Sequence, residues 1–144
     1  METKMKKLTP DLMVADVAES VRFYVDRLGF SLDLVVPENE RIMEEVLQTG
    51  RKYAYAVVRR DEVFVMFMRQ DEYRKDVPAF LTMDIGASVA LYIDMENVES
   101  FYGKIKDKVR IEKALADTWY GMREFYIRDN NGYILAFAER IPCA

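Results

Sequence analysis

One order of elements, strand–helix–strand–strand–strand, can be read twice along this chain, and that repetition narrows the possible folds more than any other feature. In the first half, residues 8–15 alternate as a strand. Asp16 follows as an N-cap, with Glu19 three residues on, a capping-box spacing with aspartate in the serine or threonine role. Val17, Val21, Tyr24, Val25 and Leu28 then fall on one helical face, and Gly29 stands where a C′ residue ends a helix. Residues 30–36 alternate again and stop at Pro37. Residues 53–59 and 63–69 read as a hairpin around Arg60, Asp61 and Glu62. The second half opens with a strand over 88–95. An amphipathic helix over 96–108 carries Val98, Phe101, Tyr102 and Ile105 at apolar spacing. A strand over 109–115 and a hairpin of 122–128 with 133–138 complete it. Asp129, Asn130, Asn131 and Gly132 make that hairpin's turn, and Asn131-Gly132 is a strong signal because both residues tolerate φ > 0. Literal identity between the halves is slight, so a period of about 70 residues is a structural repeat.

The connecting segments differ in character. Residues 38–50 carry Ile42, Met43, Val46 and Leu47 at helical spacing after an acidic first turn. They read as an inserted helix, either covering a pocket or solvated on the surface. Residues 71–86 are polar, contain Pro78 and end at Gly86, which suits a linker with a short helix. One domain is therefore expected over 1–144, with a first βαβββ module at 8–69, a linker at 70–87 and a second module at 88–140.

Composition excludes several classes of function. The net charge of −4 over 144 residues argues against nucleic acid as a partner, which wants a basic face. No apolar run approaches the roughly 20 residues of a membrane span. The charged first residues lack an apolar signal core. The single cysteine, Cys143, cannot form an internal disulfide, which fits a reducing cytoplasm. There is no glycine-rich phosphate loop, no Gly-x-Ser-x-Gly elbow and, with no histidine in the chain, no Cys–His pair. General base work would fall to a carboxylate or a lysine, and Asp11 is the one candidate by position.

A βαβββ unit covers one sheet face with its helix and leaves the other bare. Two such units set edge to edge give a curved mixed sheet around a cleft, an α+β architecture with a natural ligand site. Strand alternation places Asp11, Met13, Tyr55, Phe64, Met66, Met68, Tyr92 and Asp94 toward that cleft, with Trp119 just before the last hairpin. Methionine and aromatic residues at alternate strand positions also serve as plain core, so Met66 and Met68 divide between core and pocket. Aromatic faces with a few acids suit a planar or cationic organic ligand, and methionines suit an adaptable surface.

The two motifs, Val14-Ala-Asp16 leading into Ser20-x-x-Phe23-Tyr24 and Leu28-Gly-Phe30, then the hairpin from Gly121 to Phe137, resemble the vicinal oxygen chelate superfamily. That is the glyoxalase, bleomycin-resistance protein and extradiol dioxygenase fold. The resemblance implies a cleft that in many of its enzymes holds a divalent metal on His or Gln, Glu, His and Glu. The matching positions here are Thr9, Met66, Ala90 and Ala136. Borderline metals want imidazole and carboxylate, so neither a metal nor another cofactor is expected. An oxygen site from Asp11, Asp94 or Glu139 would need carboxylates that converge. Two classes of function follow. The first is a metal-free binder of a small aromatic or cationic ligand, resembling the bleomycin-resistance branch. The second is a lyase, isomerase or dioxygenase resembling the glyoxalase or extradiol branch, with an atypical site. The resemblance and the open sheet edges also imply a homodimer.

Overall fold

The computed structural model describes residues 1–142, so Cys143 lies outside the described residues. The chain divides into two compact units, Met1–Asp84 and the segment from Ile85 onward. The first unit runs β1 (Asp11–Val14), α1 (Val17–Leu28), β2 (Ser31–Pro37), β3 (Tyr53–Arg60) and β4 (Val63–Arg69). After β4 come α2 (Gln70–Asp76) and a 3₁₀ turn (Pro78–Thr82). The second runs β5 (Ala90–Asp94), α3 (Val98–Ile105), β6 (Arg110–Asp117), β7 (Met122–Arg128) and β8 (Ile134–Arg140). Each unit forms its own four-stranded mixed sheet, ordered β1-β4-β3-β2 and β5-β8-β7-β6. The first and last strands of each unit pair in parallel, and the other pairs are antiparallel. This is the α+β, doubled βαβββ architecture that the sequence indicates.

The two helices start by different means. On α1, Asp16 Oδ1 accepts the Glu19 amide at 3.1 Å, as the capping-box spacing predicts. At α3, Asn97 has φ 59° and its side chain caps nothing. Glu139 reaches over from β8 instead, accepting the Asn97 and Val98 amides at 3.0 and 3.1 Å. That carboxylate satisfies two orphan helix donors, and those amides hold its pKa below the usual value. Gly29 ends α1 at φ +77°, where a Cβ would stand 3.0 Å from Arg60 Nη1. That same nitrogen donates to the Leu28 carbonyl at 2.7 Å, so only glycine fits without displacing the arginine.

α1 and α3 each bury an apolar face on one side of their sheet. Tyr24 is fully buried and meets Phe67, Phe30 and Phe23 edge-to-face at 4.9, 5.5 and 5.8 Å. Phe101 of α3 packs on Phe137 at 5.0 Å and on Phe125 at 6.1 Å, with Tyr102 on Phe125 at 4.9 Å.

Two sequence expectations are corrected. Residues 38–50 hold no helix. Val35 and Glu44 exchange both backbone hydrogen bonds at 2.8 Å, Arg51 pairs with Glu40 and Glu44, and the Tyr53 hydroxyl accepts the Gln48 amide. Extended pairing and local ion pairs thus take the place of helical bonds, leaving Ile42, Met43 and Val46 exposed. In the last turn only Gly132 takes positive φ; Asn131 does not. The turn is built instead by buried Asp129, whose Oδ1 accepts the Asn131 and Tyr133 amides at 2.9 Å each.

Candidate functional site

In the second unit, Phe125, Ile127 and Phe137 point toward α3, so Met122, Glu124 and Tyr126 take the opposite face of β7. The register sets Tyr126 beside Ala136 and Ala136 beside Tyr92, which puts Tyr92 on that same face. Glu124 is fully buried there, between Met122 and Tyr126 on the same face of the strand. Tyr92 donates its hydroxyl to Glu124 Oε2 at 2.5 Å, and Tyr120 donates to Oε1. Lys113 Nζ lies 3.6 Å from Oε1 and 5.5 Å from the Tyr126 ring centre.

The turn between β6 and β7 delivers Tyr120. The Thr118 amide donates to the Met122 carbonyl at 2.8 Å, and the Met122 amide donates back to the Thr118 hydroxyl at 3.0 Å. Gly121 at φ +85° closes the loop. Tyr120 is thereby folded back over Glu124, while Trp119 stands 94% exposed at the tip, edge-on to Tyr120 at 5.4 Å. Burial pushes the Glu124 carboxyl pKa up, but the Tyr120 and Tyr92 hydroxyls and Lys113 outweigh it, and the net shift is downward. The group is ionised at neutral pH. Burial and the Glu124 charge push the Tyr92 phenol well above its ordinary range.

In the first unit, Val65 and Phe67 face α1, so Phe64, Met66 and Met68 face away from it. Asp11 pairs with Met66, and Met13 with Met68 and then Tyr55, which places all of these on that face. Tyr55 donates its hydroxyl to Met66 Sδ at 2.6 Å. Asp11 Oδ1 is buried with no hydrogen-bond partner. Burial raises the Asp11 pKa above 3.8, against the lowering effect of Tyr73. Phe64 is less open than its position suggests, because Lys7 Nζ lies 3.4 Å over its ring.

The raised Asp11 pKa has a definite sign. The folded state holds the proton more tightly than the unfolded state does, so stability falls as pH rises through the folded value. Asp11→Asn is expected to remove that slope and to match or exceed wild-type stability at neutral pH. Urea midpoints between about pH 4 and 7 would check it; a variant that keeps the wild-type slope would overturn it.

Of the residues singled out in the sequence, Asp11, Met13, Tyr55, Phe64, Met66 and Met68 share one face of the first unit. Tyr92 shares the corresponding face of the second, with Trp119 at its adjoining loop. Sequence reasoning missed Glu124, Tyr120 and Lys113. The available signal was parity: Glu124 falls in step with Met122 and Tyr126, an acid in the middle of an apolar strand row.

Comparison with known proteins bears on what such faces are for. The pattern of the glyoxalase/bleomycin resistance protein/dioxygenase superfamily matches residues 7–137. The chain belongs to this superfamily. A bleomycin resistance protein of Geobacillus stearothermophilus is 24% identical over 146 residues, 95% of this chain and 98% of that protein. Among solved structures, TioX from Micromonospora sp. ML1 is similar at a TM-score of 0.70 and 18% identity, over 95% of this chain and all of that one. The bleomycin-binding protein of Streptomyces verticillus, solved with copper(II)-bleomycin, gives 0.60 and 20%, over 94% and 97%. Likenesses at these identities establish the fold.

The superfamily's metal positions do not fit a metal here. Ala90 and Ala136 offer no donor atom, and the Met66 sulfur already accepts the Tyr55 hydroxyl. Among the described residues, no three His, Cys, Asp or Glu side chains stand together as a group able to hold an ion. Two open hollows of about 480 Å³ lie elsewhere, beside Asp16 and Arg69 and beside Asn97 and Arg123. Their arginines and Glu139 are committed internally: Arg69 to Glu38 and Asp71, Arg123 to Asp117 and Glu99, Glu139 to the helix amides.

Proposed function

We propose that this superfamily member binds a small aromatic or cationic organic molecule without a metal, holding it rather than transforming it. The observation that carries the reading is the chemistry of the two sheet faces turned away from α1 and α3. One presents Asp11, Tyr55, Met66 and Met68 around a buried Met13, with Phe64 at its rim, and the other presents Tyr92 over ionised Glu124, with Trp119 at the loop. Aromatic rings and thioethers supply dispersion and π-faces, and the carboxylates supply a field favourable to cations. The similarity to bleomycin resistance proteins points the same way. A glyoxalase- or dioxygenase-type enzyme is disfavoured by the donor set, since threonine, methionine and two alanines cannot replace imidazole and carboxylate. The sheet edges at β1, β2, β5 and β6 make a homodimer part of the same proposal.

Trp119 is the chain's one tryptophan and nearly fully exposed, so its fluorescence reports on that loop alone. Titration with copper(II)-bleomycin and with metal-free bleomycin is expected to quench it saturably, after chelator treatment of the protein as well as before. The absence of any saturable change, with no added ligand mass by native mass spectrometry, would overturn the reading. The same spectra give the subunit stoichiometry.

A further inference from the structure

We propose that the tyrosine cluster over Glu124 is an aromatic cage for a quaternary ammonium group, with Glu124 as its positioning residue. The inference rests on the small-molecule reading above and names the ligand chemistry at one of its faces.

Four observations converge. First, Tyr92 and Tyr120 both donate their hydroxyls to one buried carboxylate. A phenol that donates to an anion is enriched in electron density, which strengthens the negative face of its ring toward a cation. Second, the rings are reachable while the charge is not. Tyr92 and Tyr120 are each 46% exposed, and Trp119 extends the wall at 87° to Tyr120, yet Glu124 itself has no exposed surface. A ligand therefore meets π-faces backed by a charge rather than the carboxylate itself. Third, the cluster already holds a cation from its own chain. Lys113 sits beside Glu124 and over Tyr126, and being half-exposed it can swing aside. Fourth, donors of this chain already crowd the carboxylate. Oε2 takes Tyr92, and Oε1 takes Tyr120 with Lys113 next to it. A primary ammonium must compete with those donors for the remaining acceptor sites, as Lys113 does, whereas an alkylated ammonium needs none.

The test is a proton NMR titration of the full chain with choline and with dimethylbutanol, its uncharged carbon isostere. Choline is expected to bind about tenfold more tightly, with its N-methyl signal moved upfield by ring currents. Glu124→Gln, shown folded by circular dichroism, is expected to erase that preference while leaving dimethylbutanol binding within about twofold. Lys113→Gln removes the internal competitor and is expected to tighten choline binding several-fold; it gives a second arm that leaves Glu124 in place. Equal binding of the two probes, an unchanged preference in a folded Glu124→Gln protein, or weaker choline binding by Lys113→Gln would each overturn the cage. If the wild-type protein takes up bleomycin but shows no choline preference, the cage is wrong and the small-molecule reading stands. If it takes up neither bleomycin nor either probe, both fall.

Discussion

Replacing Tyr24 with alanine is expected to lower the stability of the first unit by about 3–5 kcal/mol, the range for removing a large aromatic from a packed core. Tyr24 has no exposed surface and is edge-to-face with three other rings on α1, β4 and the α1–β2 junction. Each such contact adds about 0.5–1.5 kcal/mol beyond area burial. The surrounding shell cannot collapse cheaply, because Val14, Val17, Val21, Leu28 and Phe67 are themselves fully buried and fixed by helix and sheet. Tyr24→Phe separates the ring from its hydroxyl and should cost much less. Urea unfolding with a constant m-value would measure both. A Tyr24→Ala loss below about 1.5 kcal/mol would mean that this cluster does not hold α1 to its sheet.

The fold was legible in the sequence because two periodicities alternated in a repeated order. Asp16, Glu19 and Gly29 marked α1, whose start, stop and buried face all follow from side chains within the element. The failures share a cause. Residues 38–50 have a helical spacing of apolar side chains but no sheet face to bury them on, so β-bridging of Glu44 to Val35 and the ion pairs of Arg51 prevailed. The start of α3 carries no capping signal of its own because its cap, Glu139, arrives from 42 residues away. The candidate site was half legible for a related reason. Alternation put Asp11 and Met66 on one face of the first unit and Tyr92 on the Glu124 face of the second. It could not show that the loop at Thr118 and Gly121 folds Tyr120 back onto Glu124, because that contact depends on a turn conformation and not on a period.

The second large effect is expected at Glu124, and its size depends on what replaces it. Glu124→Ala opens a cavity in a fully buried position, so a loss of about 2–4 kcal/mol is expected. Glu124→Leu refills most of that space. Tyr92 and Tyr120 are half-exposed and can turn their hydroxyls to water, so the penalty for leaving them without a carboxylate is small. The leucine variant should therefore lose no more than about 1 kcal/mol, despite losing the charge. The acid limb gives an independent check. The folded pKa of Glu124 lies below its ordinary 4.5, so its contribution to stability is present above that value. It is lost as pH falls through the folded value. The leucine variant should show a shallower acid limb than wild type. A leucine variant as unstable as the alanine variant would mean that the buried charge itself organises the β6–β7 turn. Near-wild-type stability in leucine together with lost ligand binding would mean that the carboxylate is kept for the field it projects through its two tyrosines.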